Sequence, residues 1–251
     1  MTVIKRILPL TTAAGLLTVG LMLPLATGVS AQSPPNSANI GIPTIWEAQP
    51  KPPRRGTPEG RESGATRSPI QNCIQGNSKL TALVPVSGKG FTVKSTPTFF
   101  WYLPPTAAKS AEFVLLDDKD EEIYSTKFAI AGTSGLKSLS LPTDAGFPAL
   151  ESGKEYQWQL SLICNPTDRS ADIFIEGFVE RKSLSDDFVK QIQQATPQQR
   201  LAFYANNRLW YDLLDTLAAQ RRLNPQDITI TTDWKKLLES VRLGSLTENS
   251  L

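Results

Sequence analysis

The chain contains no histidine and only two cysteines, Cys73 and Cys164, in 251 residues. Without histidine there is no Ser–His–Asp or Cys–His nucleophile system. Two thiols without imidazole fall short of the usual zinc ligand sets. Dinucleotide-binding and P-loop glycine motifs are also missing. After the leading segment, no apolar run approaches the ~20 residues needed to cross a bilayer as a helix. Nor is there a large excess of either charge, since the formal net charge is +2. These shortages exclude most familiar catalytic vocabularies and predict no cofactor and no resident metal.

What is present begins with a leader. Lys5 and Arg6 precede an apolar stretch from Ile7 to Leu25, and "TGVSAQS" places Val29 and Ala31 at the −3 and −1 positions of a cleavage site. Residues 1–31 are therefore expected to be a signal peptide. The alternative is an uncleaved anchor, disfavoured by Pro9, Pro24 and the scattered Thr and Gly. Loss of Lys5 and Arg6 takes the formal net charge from +2 to zero. The next segment is mildly basic through Lys51, Arg54, Arg55, Arg61 and Arg67, which leaves the remainder slightly acidic. That balance lacks the footprint of a nucleic-acid binder. The expected location is periplasmic or extracellular, with no transmembrane segment once the leader is gone.

Residues 32–70 carry eight Pro and four Gly in 39 positions, a composition that favours a solvated, disordered linker. Its one apolar patch is Ile42, Ile45 and Trp46, either incidental or a docking motif. From Lys79 to Lys182 the signals are those of strands and turns: "KLTALVP", "GFTVKS", "PTFFWYLPP", "AEFVLL", "EIYSTKFAI", "LKSLSLP", "YQWQLSLICNP" and "SADIFIEGFVERK". Residues 71–182 are expected to form an antiparallel β-sandwich. Leu150, Gly153 and Tyr156 resemble the turn before the sixth strand of immunoglobulin-like and fibronectin-like sandwiches, where a tyrosine hydroxyl bonds back to that turn.

From Ser183 the period becomes helical, so residues 183–251 are expected to form a small C-terminal α-helical unit, giving an α+β chain. Thr196, Pro197 and Gln199 form a capping-box start. Trp210, Leu213, Leu214 and Leu217 share one helix face. Thr232 is the expected cap of a last helix carrying Trp234, Leu237, Leu238 and Val241 at i, i+3, i+4 and i+7. The segment around "YANNRLWYDLLDTLA" loosely resembles one tetratricopeptide hairpin, which cannot bury its own face and must pack on something else.

In the strand "YQWQLSLICNP", Tyr156, Trp158, Leu160, Leu162 and Cys164 share a face. Cys164 is read as the partner of Cys73 in a structural disulfide, the alternative being a reactive thiol. No CxxC is present, and the cysteine lies in line with core aromatics. The acidic tip Asp117, Asp118, Asp120, Glu121 and Glu122 is read as a solvated turn rather than a calcium loop. "SGLK" (Ser134–Lys137) matches the S-x-x-K pattern by chance, because it sits in a turn before a strand. Phe99, Phe100, Trp101 and Tyr102 are expected to alternate between core and surface. The candidate interaction face is Trp210, Trp234, Phe99 and Trp101.

Four blocks, "RSPIQNCIQGNSKLTALVP", "PTFFWYLPPTAAKSAEFVLLDDKDEEIY", "YQWQLSLICNPTDRSADIFIEGFVER" and "YANNRLWYDLLDTLAAQRRLNP…DWKKLL", occur in order. Together they resemble the exported cyanobacterial proteins of domain-of-unknown-function family 928, over roughly residues 53–243. The resemblance implies a cyanobacterial source and an envelope location, and no catalytic residues. The expected function is a non-enzymatic binding or protein-interaction module with a protein partner in the cell envelope. The rival is a carboxylate-dependent envelope hydrolase acting on glycans, in which exposed aromatics from Phe99 to Tyr102 stack on sugar. Its carboxylate candidates are Asp117, Glu151, Asp168 and Asp172.

Overall fold

The computed structural model describes residues 40–42, 46, 61–62, 73–130, 133–144, 147 and 149–248. The leading unit, Met1–Asn36, lies outside them, as does the expected signal peptide; all described residues belong to the unit Ser37–Leu251. Eight strands follow one another: β1 (Thr81–Ala82), β2 (Lys89–Thr92), β3 (Thr98–Leu103), β4 (Ser110–Leu116), β5 (Glu122–Ala129), β6 (Gly135–Ser140), β7 (Glu155–Ile163) and β8 (Ile173–Arg181). Four helices come after them: α1 (Asp186–Gln194), α2 (Pro197–Asn206), α3 (Trp210–Leu223) and α4 (Ile228–Ser240).

The strands form a three-stranded sheet in the order β1-β3-β6 and a five-stranded sheet in the order β2-β8-β7-β4-β5. Alternation along β4 and β7 sends Ala111, Phe113, Leu115, Tyr156, Trp158, Leu160 and Leu162 inward, and all seven are buried. Phe99 of β3 meets them from the other sheet, with ring centroids 5.0 Å from Phe113 and 5.4 Å from Trp158. This is a β-sandwich. One pairing departs from the antiparallel expectation: β2 runs parallel to β8, with Lys89 opposite Phe178 and Thr92 opposite Arg181. A parallel neighbour needs a long connection, and here the rest of the sandwich supplies it.

The tyrosine turn is present as read from the sequence. The Tyr156 hydroxyl accepts the Glu151 backbone N–H at 2.9 Å, Gly153 takes a φ of +81°, and Leu150 is buried. Cys73 and Cys164 are joined, with Cα atoms 5.4 Å apart. The tip of the β4–β5 hairpin is a local turn in which Asp117 Oδ1 accepts from the N–H groups of Lys119 and Glu121 at 2.8 and 2.9 Å.

The helical unit docks on the sandwich by its own aromatic stripe. Trp210 Nε1 donates to the Leu83 carbonyl at 2.9 Å, and the Tyr211 hydroxyl donates to the Phe178 carbonyl at 2.9 Å. Both side chains lie over Gly90 of β2, where a Cβ would come within 2.8 Å of the Tyr211 ring and 3.1 Å of Trp210. Leu201, Tyr204, Ala205, Leu213, Leu214, Leu217, Trp234, Leu237, Leu238 and Val241 continue one unbroken core into the helices. The capping box at Thr196 and Gln199 forms as expected. The cap of α4 does not: Asp227, not Thr232, accepts the first N–H groups, from Thr229 and Ile230. The turn at Asn224–Pro225 lets the helix restart one turn earlier, and Thr232 lies inside it, donating back to the Ile228 carbonyl at 2.7 Å.

Part of the stretch read as a solvated linker is also docked. Ile40 and Trp46 are buried, the Trp46 ring meets Trp210 edge-on at 5.2 Å, and Arg208 Nη1 donates to the Trp46 carbonyl at 2.9 Å. Arg61 Nη2 donates to the Val241 carbonyl at 2.6 Å, and Glu62 bridges Thr81. At these positions an aromatic ring and backbone pairing outweigh the local composition. Ile42 packs half-buried against the same core, and apart from Gly41 the rest of that stretch lies outside the described residues.

Candidate functional site

The four aromatics expected to form an interaction face do not form one. Phe99, Trp210 and Trp234 are fully buried, and Trp101 is 3% exposed. Phe99 and Trp210 fill the junction between sandwich and helices, and Trp234 lies under the Arg221 guanidinium at 5.2 Å. Hydrophobic periodicity marks such residues as apolar-facing but does not say whether the face is covered. The docking of α3 covers it. The expected alternation of the run Phe99–Tyr102 between core and surface does not hold: Phe99, Phe100 and Trp101 are all buried, and Tyr102 is half-buried.

Trp101 does reach a concave feature. Between the sheets, on the side bounded by edge strands β5 and β6, an apolar slot of about 250 Å³ opens. Trp101 and Leu103 of β3, Ala111 of β4, Leu162 of β7, and Phe128 and Ile130 at the end of β5 line it. The rings of Trp101 and Phe128 stand 6.2 Å apart across it. The slot exists because β5 and β6 end their sheets without pairing to each other, so the two layers are not sealed on that side. Thr133, Lys137 and Ser138 supply its polar rim.

Lys137 belongs to the inward-facing set of β6, opposite Trp101 in the antiparallel register. Its ammonium donates to Thr133 Oγ1 at 3.2 Å, and among the described residues no carboxylate lies within ion-pair distance of it. The sequence reading passed over the slot. In the sequence Lys137 falls within the chance S-x-x-K match, and Phe128 and Ile130 within the strand segment "EIYSTKFAI". An inward-facing lysine in "GLKSLS" was the available signal.

Several charged residues elsewhere form ion pairs. Lys89, 6% exposed, holds Glu155 and Glu180 at 2.6 Å each. Burial alone would lower the Lys89 pKa, but the two carboxylates outweigh it and hold it above the ordinary lysine value. Burial would likewise raise Glu180, yet Lys182 and Lys89 hold it below the ordinary range. Arg169 joins Glu112 at 2.7 Å and also reaches Asp172. Asp168 caps a short turn at Arg169–Ala171, and Glu151 is half of an exposed pair with Lys154. Asp168 and Asp172 flank the same short turn, and none of Asp117, Glu151, Asp168 and Asp172 lines the slot. Among the described residues, no group of three or more His, Cys, Asp or Glu side chains is placed to hold a metal ion. Nor is any described helix long and apolar enough to cross a membrane.

Fold and slot together define a class: among the described residues, a disulfide-linked two-sheet β protein with four C-terminal helices and an apolar opening between its sheets. The chain belongs to the family described as Domain of Unknown Function (DUF928), which matches residues 62–251. Among solved structures it is similar to the fn3 domain of the human collagen alpha-1(XX) chain, at 13% identity and a TM-score of 0.27, over 49% of this chain and 94% of that one. No curated protein matches significantly.

Proposed function

We propose that this protein is a non-enzymatic binding module of the cell envelope, and that its ligand site is the slot between the sheets. The observation that carries this reading is the slot itself: an opening of about 250 Å³, apolar on its walls and polar only at its rim. It lies in a scaffold braced by the Cys73–Cys164 link and by the Tyr156 hydroxyl. The reading replaces the helical face, whose tryptophans are committed to the core. Export fits the leader sequence and a disulfide framework; the cyanobacterial origin rests on the resemblance alone. We also read the sandwich as fibronectin-like, on its strand order and its tyrosine turn.

The envelope hydrolase is the weaker reading. The glutamate pair facing across β7 and β8, Glu155 and Glu180, is ion-paired with Lys89, and Glu180 also with Lys182; the aromatics meant for sugar stacking are largely buried.

Amide and methyl NMR shifts during titration with small apolar compounds test the site. Perturbations grouped on Leu103, Ile130, Thr133 and Leu162 are expected. Shifts scattered over the surface, or centred on Glu155 and Glu180 with turnover of a glycan, would sink the reading. Sequencing the mature protein from the extracytoplasmic fraction tests export, with Gln32 as the expected first residue.

A further inference from the structure

The slot has one feature its apolar walls do not require. A cation stands on the inner side of edge strand β6, next to Trp101, without a carboxylate partner among the described residues. An ammonium carries three donors, and the bond to Thr133 uses one. That bond is solvent-exposed, so the remaining donors are open to water or to an anion bound at the rim. Lys109, the exposed residue just before β4, accepts the Ile130 N–H on its carbonyl at 2.9 Å, next to the end of β5 that lines the slot. On the same hairpin Glu112 is occupied by Arg169.

We infer that the slot selects an amphiphilic anion: a small ligand with an apolar body lying between Trp101, Phe128 and Leu162, and a carboxylate or similar single-anion head on the Lys137 ammonium. This rests on the slot being the ligand site and adds the chemical class of its occupant. Charge complementarity decides it. A neutral apolar ligand leaves the Lys137 ammonium to water and gains nothing from it, and a cationic one meets it with repulsion. The volume sets the scale at a short aliphatic chain or a single aromatic acid, below the usual range for drug-sized ligands.

An inward-pointing lysine on an edge strand also has a purely protective use, blunting strand-to-strand association. The test separates the two. The full chain is titrated by calorimetry with sodium octanoate and, in parallel, with 1-octanol, and repeated with Lys137→Met, which keeps the stem and removes the charge. Octanoate is expected to bind one to one and more tightly than octanol. Lys137→Met should weaken octanoate by about tenfold or more, the usual worth of a hydrogen bond to a charged group, and leave octanol unchanged. Thr133 and Lys137 amide shifts should report the head group and Leu162 methyl shifts the chain. Equal affinities for octanoate and octanol that Lys137→Met does not alter would overturn the anion inference and leave the slot reading standing. Failure of both to bind a folded protein would overturn both. Increased self-association of Lys137→Met without any change in octanoate affinity would assign the lysine to edge protection and overturn the inference.

Discussion

The Trp158 indole N–H donates to the Tyr211 hydroxyl at 2.9 Å, joining the centre of β7 to the first turn of α3 inside the core. Tyr211 then donates its own proton to the Phe178 carbonyl, so one hydroxyl satisfies two buried groups from adjacent strands. Burial raises the Tyr211 pKa well above the ordinary tyrosine value, partly opposed by the Trp158 N–H, and keeps the hydroxyl protonated. Replacing it by phenylalanine leaves the Trp158 N–H without its acceptor. Tyr211→Phe is expected to cost about 1–3 kcal/mol in urea denaturation, with the fold retained.

Gly177 lies directly opposite Trp158 in the β7–β8 register. A Cβ there would fall 2.9 Å from three atoms of the indole, Nε1, Cε2 and Cζ2. The ring is fixed by Tyr211 and cannot retreat without breaking that bond. Gly177→Ala should destabilise by about 1–3 kcal/mol, as overpacked cores do, and should shift the Trp158 indole N–H resonance.

Asp212 gives the protein a pH dependence with a definite sign. It is fully buried and accepts the Val93 N–H at 3.0 Å. Burial pushes its carboxyl up to about 6, against the pull of Val93, Lys94 and Thr92. The unfolded chain ionises this group at a lower pH than the folded protein. Its contribution to stability is therefore fully present below about pH 4 and is lost as pH rises toward about 6, a difference on the order of 3 kcal/mol. Asp212→Asn should flatten that slope in urea titrations between pH 4 and 7. Relative to the native chain it should gain stability at pH 7 and not at pH 4. A slope unchanged by the substitution would assign the dependence to other groups.

The disulfide spans a sequence separation of 91 residues and ties Cys73, upstream of β1, to the end of β7. Replacing both cysteines by serine should lower stability by up to about 4–5 kcal/mol in the chain-entropy picture. The loss should also loosen hydrogen bonds next to Cys73, which hydrogen exchange at Gln75 and Ala107 would report.

Much of the architecture was legible in the sequence because short-range rules govern it. Period-two alternation placed Trp158 and Leu162 in the core, the Leu150–Gly153–Tyr156 spacing placed a hydroxyl bond, and the Thr196–Gln199 box placed a helix start. The misses have a common physical origin. Whether Trp210, Trp234, Phe99 and Trp101 face solvent depends on what docks over them, and local pattern carries no record of that. The slot is hidden for the same reason: it is bounded by β5 and β6, whose failure to pair is a property of sheet order. The parallel β2–β8 pair and the seating of Trp46 on Trp210 likewise join positions far apart in the chain.

Because Trp210 and Tyr211 lie against Leu83, Gly90, Trp158 and Phe178, the centre of the sandwich is finished by residues that follow its last strand. While the chain is being synthesised, every strand can be available before the interior is closed. Until α3 arrives, the apolar surface around Gly90 and Phe99 stays open to water and to other chains. The window of greatest vulnerability to aggregation or proteolysis therefore falls late, between completion of β8 and arrival of α3. Shortening the protein ahead of Trp210 would yield an unfilled sandwich rather than a smaller stable domain.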